Sequence, residues 1–205
     1  MAAGARSPRI DGKLAGMDAT RRELRDRRRA VDDAAQRAAS ATVAARAAPL
    51  LEGVHTLGAY AAVAGEIDPA PLIDAAWRHE VAVYLPRLTV GRSMVFAQWQ
   101  PAPWGALGAL GIPEPPPQAP VCAAARLDAV LVPLVAFDRS GTRLGTGAGF
   151  YDRAFAFRLT QARGTRPLLI GLAYTWQEVS DLERRAWDVP LDVIVTDTEV
   201  IHPQG

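Results

Sequence analysis

Apolar positions change their spacing along this chain, and those changes divide it into elements. Leu24 and Val31 mark the buried side of a charged segment that Asp18 can cap and that runs through Arg29, a helix by its period. Arg21, Arg25 and Arg28 fall at i, i+4 and i+7 and so share one face of it. An alanine-rich second helix is predicted over 33–51. Residues 56–64 read as a strand, and Asp68 followed by Pro69 opens a helix that reaches His79. The short apolar run 81–86 stops at a proline, and Met94–Trp99 alternates as a strand does. Residues 127–138 form an apolar run predicted as a buried strand, 150–163 a helix, 167–174 a strand, 177–185 a short helix and Val193–Thr196 a final strand. Strands alternate with helices from residue 55 onward. That order predicts an α/β domain whose largely parallel sheet is covered on both faces.

Composition narrows the classes. The chain has 205 residues, 49% of them apolar, enough for one large domain with a substantial core. Its net charge of +1 argues against a dedicated nucleic-acid binder. A single cysteine, Cys122, excludes an internal disulfide and a cysteine-rich metal site, which suits a reducing cytoplasm. No apolar run approaches the length of a membrane span, and the first residues lack the apolar core of a signal peptide. Residues 1–16 carry glycines and a proline without apolar period and read as a flexible tail, leaving 17–205 as one domain. His55, His79 and His202 show no ligand spacing.

The stretch with chemistry in it is Gly141-Thr-Arg-Leu-Gly-Thr-Gly-Ala-Gly-Phe-Tyr-Asp-Arg153. Alternate glycines at 145, 147 and 149 allow positive φ and close approach of backbone to a ligand. A strand before it and a helix after it would make an anion site from successive amides and a helix N-terminus. No Lys-Ser/Thr pair follows the last glycine, so this is not the common phosphate loop, and the spacing does not fit the dinucleotide fingerprint.

Those glycines with Arg143 and Leu144 before them, Tyr151-Asp152-Arg153 after them and Val132-Pro-Leu-Val-Ala-Phe-Asp138 upstream resemble the signature of the 5-formyltetrahydrofolate cyclo-ligase family. The resemblance extends over about residues 17–201. It includes Arg21-Arg-Glu-Leu-Arg25, which is similar to an N-terminal Lys-x-x-Leu-Arg element, and Gly111-Ile-Pro-Glu-Pro115, which is similar to a Gly-Ile-x-Glu-Pro turn. The resemblance implies a three-layer α/β sandwich related to sugar-phosphate isomerases and CoA transferases. It implies ATP-dependent conversion of 5-formyltetrahydrofolate to 5,10-methenyltetrahydrofolate, with ADP and phosphate released through a phosphorylated formyl intermediate. The alternative is a degenerate relative that binds folate or nucleotide without ligase activity.

Site residues follow from the same resemblance. ATP is expected on Arg21, Arg22, Glu23, Leu24 and Arg25, and on Arg143, Leu144, Gly145, Thr146, Gly147, Ala148, Gly149, Phe150 and Tyr151. The folate is expected on Arg25, Ala61 and Glu66 and on 146–150, with Glu66 accepting N–H donors of the pterin. Arg143 and Tyr151 are the catalytic candidates. Mg2+ is expected on Asp152 and Asp188, with Asp192 the competing choice and a turn-forming role the plainer reading of Asp188. Phe150 replaces a tyrosine of the family pattern and Pro69 a threonine. Phe96, Trp99 and Trp104 could flank the ligand or anchor core and loop; Glu114 reads as a brace for its turn. The partners implied are small molecules alone, the enzyme a cytoplasmic monomer.

Overall fold

A computed structural model describes residues 8–89, 93–100 and 114–204, with side chains from residue 16 onward. Two helices come first, α1 (Pro8–Arg29) and α2 (Asp33–Ala47), the second continuing as a 3-10 turn over Ala48–Leu51. Helix α1 starts well before Asp18 and takes in part of the segment expected as a tail. Asp18 is no cap there, because its carboxylate pairs with Arg21 one turn on. Asp32 caps α2 instead, accepting from the amides of Ala34 and Ala35 at 2.9 Å.

The remaining elements are β1 (Thr56–Gly58), α3 (Ala70–Arg78), β2 (Ala82–Leu88), β3 (Met94–Trp99), β4 (Val121–Cys122), β5 (Ala129–Pro133), β6 (Ala136–Phe137), β7 (Arg143–Leu144), α4 (Phe150–Ala154), β8 (Leu168–Ala173), β9 (Val193–Thr196) and β10 (Val200–Ile201). Among the described residues, eight strands form one sheet in the order β10-β9-β8-β5-β1-β2-β3-β4, and β6 pairs with β7 in a separate hairpin. The central strands β9, β8, β5, β1 and β2 run parallel, while β10, β3 and β4 close the edges antiparallel. The α/β expectation holds.

Strand alternation sorts the core into two layers. Leu57, Ala129, Leu131, Ile170, Leu172, Val193 and Val195 meet Val43, Ala44 and Ala47 of α2 and Leu72, Ile73 and Ala76 of α3. On the opposite face Val130, Val132, Leu169, Ala173 and Ile194 meet Phe137, Phe155, Val189 and Leu191. Phe96 and Trp99 belong to these cores, at 0% and 4% exposure, so they are anchors; Trp104 and Gly111–Pro113 lie outside the described residues.

Four elements depart from expectation, each for a local reason. Strand β1 ends at Gly58 because the chain then turns to build a loop, with Ala64 and Gly65 at φ 50° and 75°. The run 127–138 breaks after Pro133 into β5 and the hairpin strand β6, whose turn is organised by buried Asp138 accepting from the Ser140 and Thr142 amides. The helix predicted over 150–163 is only α4 plus a 3-10 segment, Ala156–Thr160. Buried Phe155 and Arg158 sit three apart, the repeat that 3-10 geometry aligns. Residues 178–185 are not helical, since Val179 N donates to Phe137 O and Leu182 N to Asp138 Oδ2. Strands β4, β7 and β10 were not expected at all.

Candidate active site

The sheet order reverses direction between β1 and β5, which in α/β sheets is where ligands gather, at the carboxyl ends of the strands. A cavity of about 970 Å³ opens there. The exit of β1 contributes Tyr60, Ala61, Val63 and Glu66, and the exit of β5 contributes Pro133 and Leu134. Helix α1 brings Met17 and Arg21; Pro86, Leu88 and Met94 supply an apolar wall; Glu114 also lines it. The span 142–153 and residues Leu182, Glu183, Arg185, Trp187 and Asp188 complete it.

The glycine loop follows the β6–β7 hairpin rather than a core strand. Gly147 and Gly149 take φ of 104° and 66°, in the left-handed region that favours glycine, whereas Gly145 does not. Arg21 Nε donates to Gly145 O at 3.0 Å, and Arg153 Nη1 to Ala148 O at 2.9 Å. Helix α4 is five residues long, so little of the expected helix dipole reaches the loop. Charge for an anion here comes from side chains. Arg143 points in with its fork engaged: Nη2 lies 2.6 Å from Asp152 Oδ1, and Nη1 donates to Val189 O.

Tyr151 carries the clearest signal. Its hydroxyl is buried without a hydrogen-bond partner among the described residues, although an unpaired buried polar group costs about 1–3 kcal/mol. Burial, then the Glu66 charge, pushes its pKa up, so it remains a protonated donor. Tyr60 beside it is pushed up in the same way, first by burial, and donates to Ile67 O at 2.6 Å. Glu66 is buried too. Desolvation raises its carboxyl, opposed by Arg28, by the Val63 amide and by Arg25.

The N-terminal element brings one of its five expected residues, Arg21, to the cavity. Met17, Arg21, Leu24 and Arg28 make the inward stripe of α1, spaced by four, three and four. Arg21 therefore reaches the cavity. Leu24 packs with Val135, Ala136, Leu144 and Leu182; Glu23 is exposed; Arg22 and Arg25 line a separate recess of about 310 Å³. None of these four lines the main cavity. Arg28, Met17 and Tyr60 were not foreseen as site residues. The seven-residue spacing of Met17, Leu24 and Val31 was the available clue.

The aspartates separate cleanly. Asp152 and Asp188 both line the cavity. Asp152 Oδ1 accepts from Arg143 and from Val189 N, and Asp188 Oδ2 accepts from Arg185 N at 2.8 Å, a turn contact. These contacts use one oxygen of each among the described residues. Asp192 is committed elsewhere: it pairs with Arg158 at 2.8 Å, both side chains 5% exposed, and accepts from Gly164 N and Leu169 N. No group of three or more ligating side chains occurs among the described residues. Magnesium needs only one or two carboxylates plus water and phosphate oxygens, so Asp152 and Asp188 fit it. All three histidines are exposed, and Cys122 is half-buried. No helix of the described residues is long and apolar enough to cross a membrane.

Known proteins share both the sequence and this architecture. The solved structure of Aquifex aeolicus 5,10-methenyltetrahydrofolate synthetase matches with a TM-score of 0.78 at 28% identity, over 92% of this chain and 93% of that one. The chain is 36% identical over 183 residues to the 5-formyltetrahydrofolate cyclo-ligase of Escherichia coli, covering 86% of this chain and 98% of that protein. To the Haemophilus influenzae protein of the same name it is 34% identical over 181 residues, covering 85% and 95%. Residues 14–197 match the 5-formyltetrahydrofolate cyclo-ligase family as a whole. The chain belongs to the 5-formyltetrahydrofolate cyclo-ligase family.

Proposed function

We propose that the chain catalyses ATP-dependent ring closure of 5-formyltetrahydrofolate to 5,10-methenyltetrahydrofolate. The observation that carries this reading is the convergence on one cavity of a glycine loop, two carboxylates suited to a divalent ion, and a buried donor–acceptor set of Tyr151 and Glu66. Family membership supports it.

The formyl oxygen of the substrate is held by an amide carbonyl and leaves poorly. Transfer of the γ-phosphoryl group of ATP to that oxygen releases ADP and creates a leaving group. The nitrogen at position 10 then attacks the formyl carbon, loses its proton, and phosphate departs as the five-membered ring closes. Catalysis of such a transfer is mainly positioning and charge neutralisation. Backbone of 145–149, Arg21 and Arg143 would hold the phosphates. Glu66 would accept N–H donors of the pterin, and Tyr151 would donate its hydroxyl to a substrate oxygen. Asp152 and Asp188 would hold Mg2+, which supplies positive charge against the developing charge on the transferring group. Pro86, Leu88 and Met94 would exclude water from the heterocycle. The protein is read as a cytoplasmic enzyme acting on small molecules as a monomer.

Steady-state turnover followed by methenyl absorbance, with ATP and Mg2+, tests the reading, with wild type beside Phe150→Tyr. Both are expected to be active, the tyrosine variant with a KM for the folate lower by about fivefold, since a restored hydrogen bond contributes about 1 kcal/mol. Absence of turnover in both, with folate still bound in calorimetry, would favour the non-catalytic relative.

A further inference from the structure

Arg28 is charged, yet its side chain is 4% exposed, and Glu66 against it is 8% exposed. Arg28 Nη1 lies 3.0 Å from Glu66 Oε1 and 3.2 Å from Leu134 O, and Nε donates to Ala64 O at 3.1 Å. One guanidinium thus ties together the two strand exits that wall the cavity, the loop after β1 and the segment after β5. The loop is also pressed onto α1: a Cβ on Gly65, at φ +75°, would lie 2.1 Å from the Arg28 carbonyl oxygen. Tyr174 Oη donates to Gly65 O at 3.0 Å and Gln36 Nε2 to Glu66 O at 2.7 Å, so the backbone on which Glu66 stands is held from three sides.

We propose that Arg28 is a positioning residue for Glu66, fixing both the charge and the aim of the carboxylate that receives the heterocycle's N–H donors. The inference rests on the reading of Glu66 as a ligand contact. A carboxylate has about four lone-pair sites and no donor. Arg28 takes one through Oε1, and the Val63 amide another through Oε2 at 3.2 Å. The remaining sites can accept a pair of N–H groups. If Glu66 were protonated, an acceptor would be lost and a donor would face the ligand's donors.

Several charged and titratable groups surround this carboxylate. Arg28 and Arg25 face it from α1, Tyr60 from the β1 exit with Asp68 behind it, and Tyr151 from α4 with Arg143 beyond. Burial keeps both tyrosines protonated and neutral. Arg28 is the cation in contact, whereas Arg25 acts through space. Without Arg28, desolvation acts on Glu66 with far less opposition, and its titration moves toward neutral pH.

The test measures turnover, and calorimetric binding of 5-formyltetrahydrofolate without ATP, between about pH 6 and 9. Arg28→Met is expected to raise the KM and Kd for the folate about tenfold or more at neutral pH, with KM for ATP within about twofold of wild type. The deficit should narrow as pH rises and the carboxyl regains its charge, a limb absent from wild type. Arg28→Lys should restore a flat profile. Glu66→Gln should lose folate affinity without that limb, and Arg28→Met/Glu66→Gln should equal Glu66→Gln alone. Should Arg28→Met fail to fold, with a buried carboxylate left unpaired, the double variant decides: a further loss of about tenfold beyond Glu66→Gln overturns the proposal. A folded Arg28→Met with wild-type folate KM and a lowered melting temperature also overturns it, leaving Arg28 a structural bridge. Wild-type folate affinity in Glu66→Gln would remove the underlying ligand reading itself, and the proposal with it, while turnover of 5-formyltetrahydrofolate would still stand as measured.

Discussion

Tyr151 buries a hydroxyl without a partner, and a fold does not gain by that. The group is affordable if substrate completes it. Tyr151→Phe should therefore leave the midpoint of thermal unfolding unchanged or slightly raised, while kcat/KM falls about tenfold to a hundredfold, the equivalent of about 1–3 kcal/mol. Its raised pKa keeps it a donor through the neutral range, so the wild-type rate should show no alkaline limb from this residue. Equal losses of stability and rate would instead mark the hydroxyl as packing. At this scale the sequence could be read only in part. Tyr151 stood in a legible motif, whereas Tyr60 lay within the apolar run 56–64 with nothing to mark it as lining a cavity.

Elements explain why two aspartates four residues apart have different fates. Asp192 opens β9 and binds Arg158 of the 3-10 segment, the Leu169 amide in β8 and the Gly164 amide. Asp188 sits in the turn before it, over the cavity. Asp192→Asn should cost about 3–5 kcal/mol in urea unfolding, because it leaves Arg158 buried beside a neutral group. Asp188→Asn should change stability by no more than about 1 kcal/mol and raise the Mg2+ concentration needed for half-maximal rate. A strong Mg2+ effect from Asp192→Asn in a stable protein would reverse the assignment. Periodicity could not separate these residues, and it failed also at 178–185, where amides that a helix would use internally go to Phe137 and Asp138.

For the molecule as a whole, opposite ends of the sheet do different work. The carboxyl ends of β1 and β5 hold the cavity; their amino ends are joined by Asp128, which accepts from the His55 amide at 2.9 Å and from the Thr56 amide and hydroxyl at 3.0 Å, and pairs with Arg166. Partial burial alone would raise its pKa, but the His55 and Thr56 hydrogen bonds and Arg166 bring it below the ordinary value. Because the folded value is the lower one, this stabilisation is present above the ordinary aspartate range and is lost as pH falls through the folded value. Asp128→Ala should destabilise by about 1–3 kcal/mol at neutral pH, with the gap to wild type closing below about pH 4, and with kcat/KM unchanged. A gap that is constant with pH would mean the carboxylate's charge contributes nothing.

Local order determined which stretches could become what. Apolar runs marked where buried strands begin, alternate glycines had to make an open backbone loop, and a single cysteine left no covalent brace; the family was legible from contiguous residues around 132–153. Tertiary structure decided everything that depends on two distant segments meeting. It chose which stripe of α1 faces inward, so that Arg21 rather than Arg25 reaches the cavity, and it set Arg28 against Glu66 and Asp192 against Arg158. The reason is physical: a sequence specifies period and propensity within a few turns, whereas a helix's orientation and a buried charge's partner are set by packing across long separations along the chain.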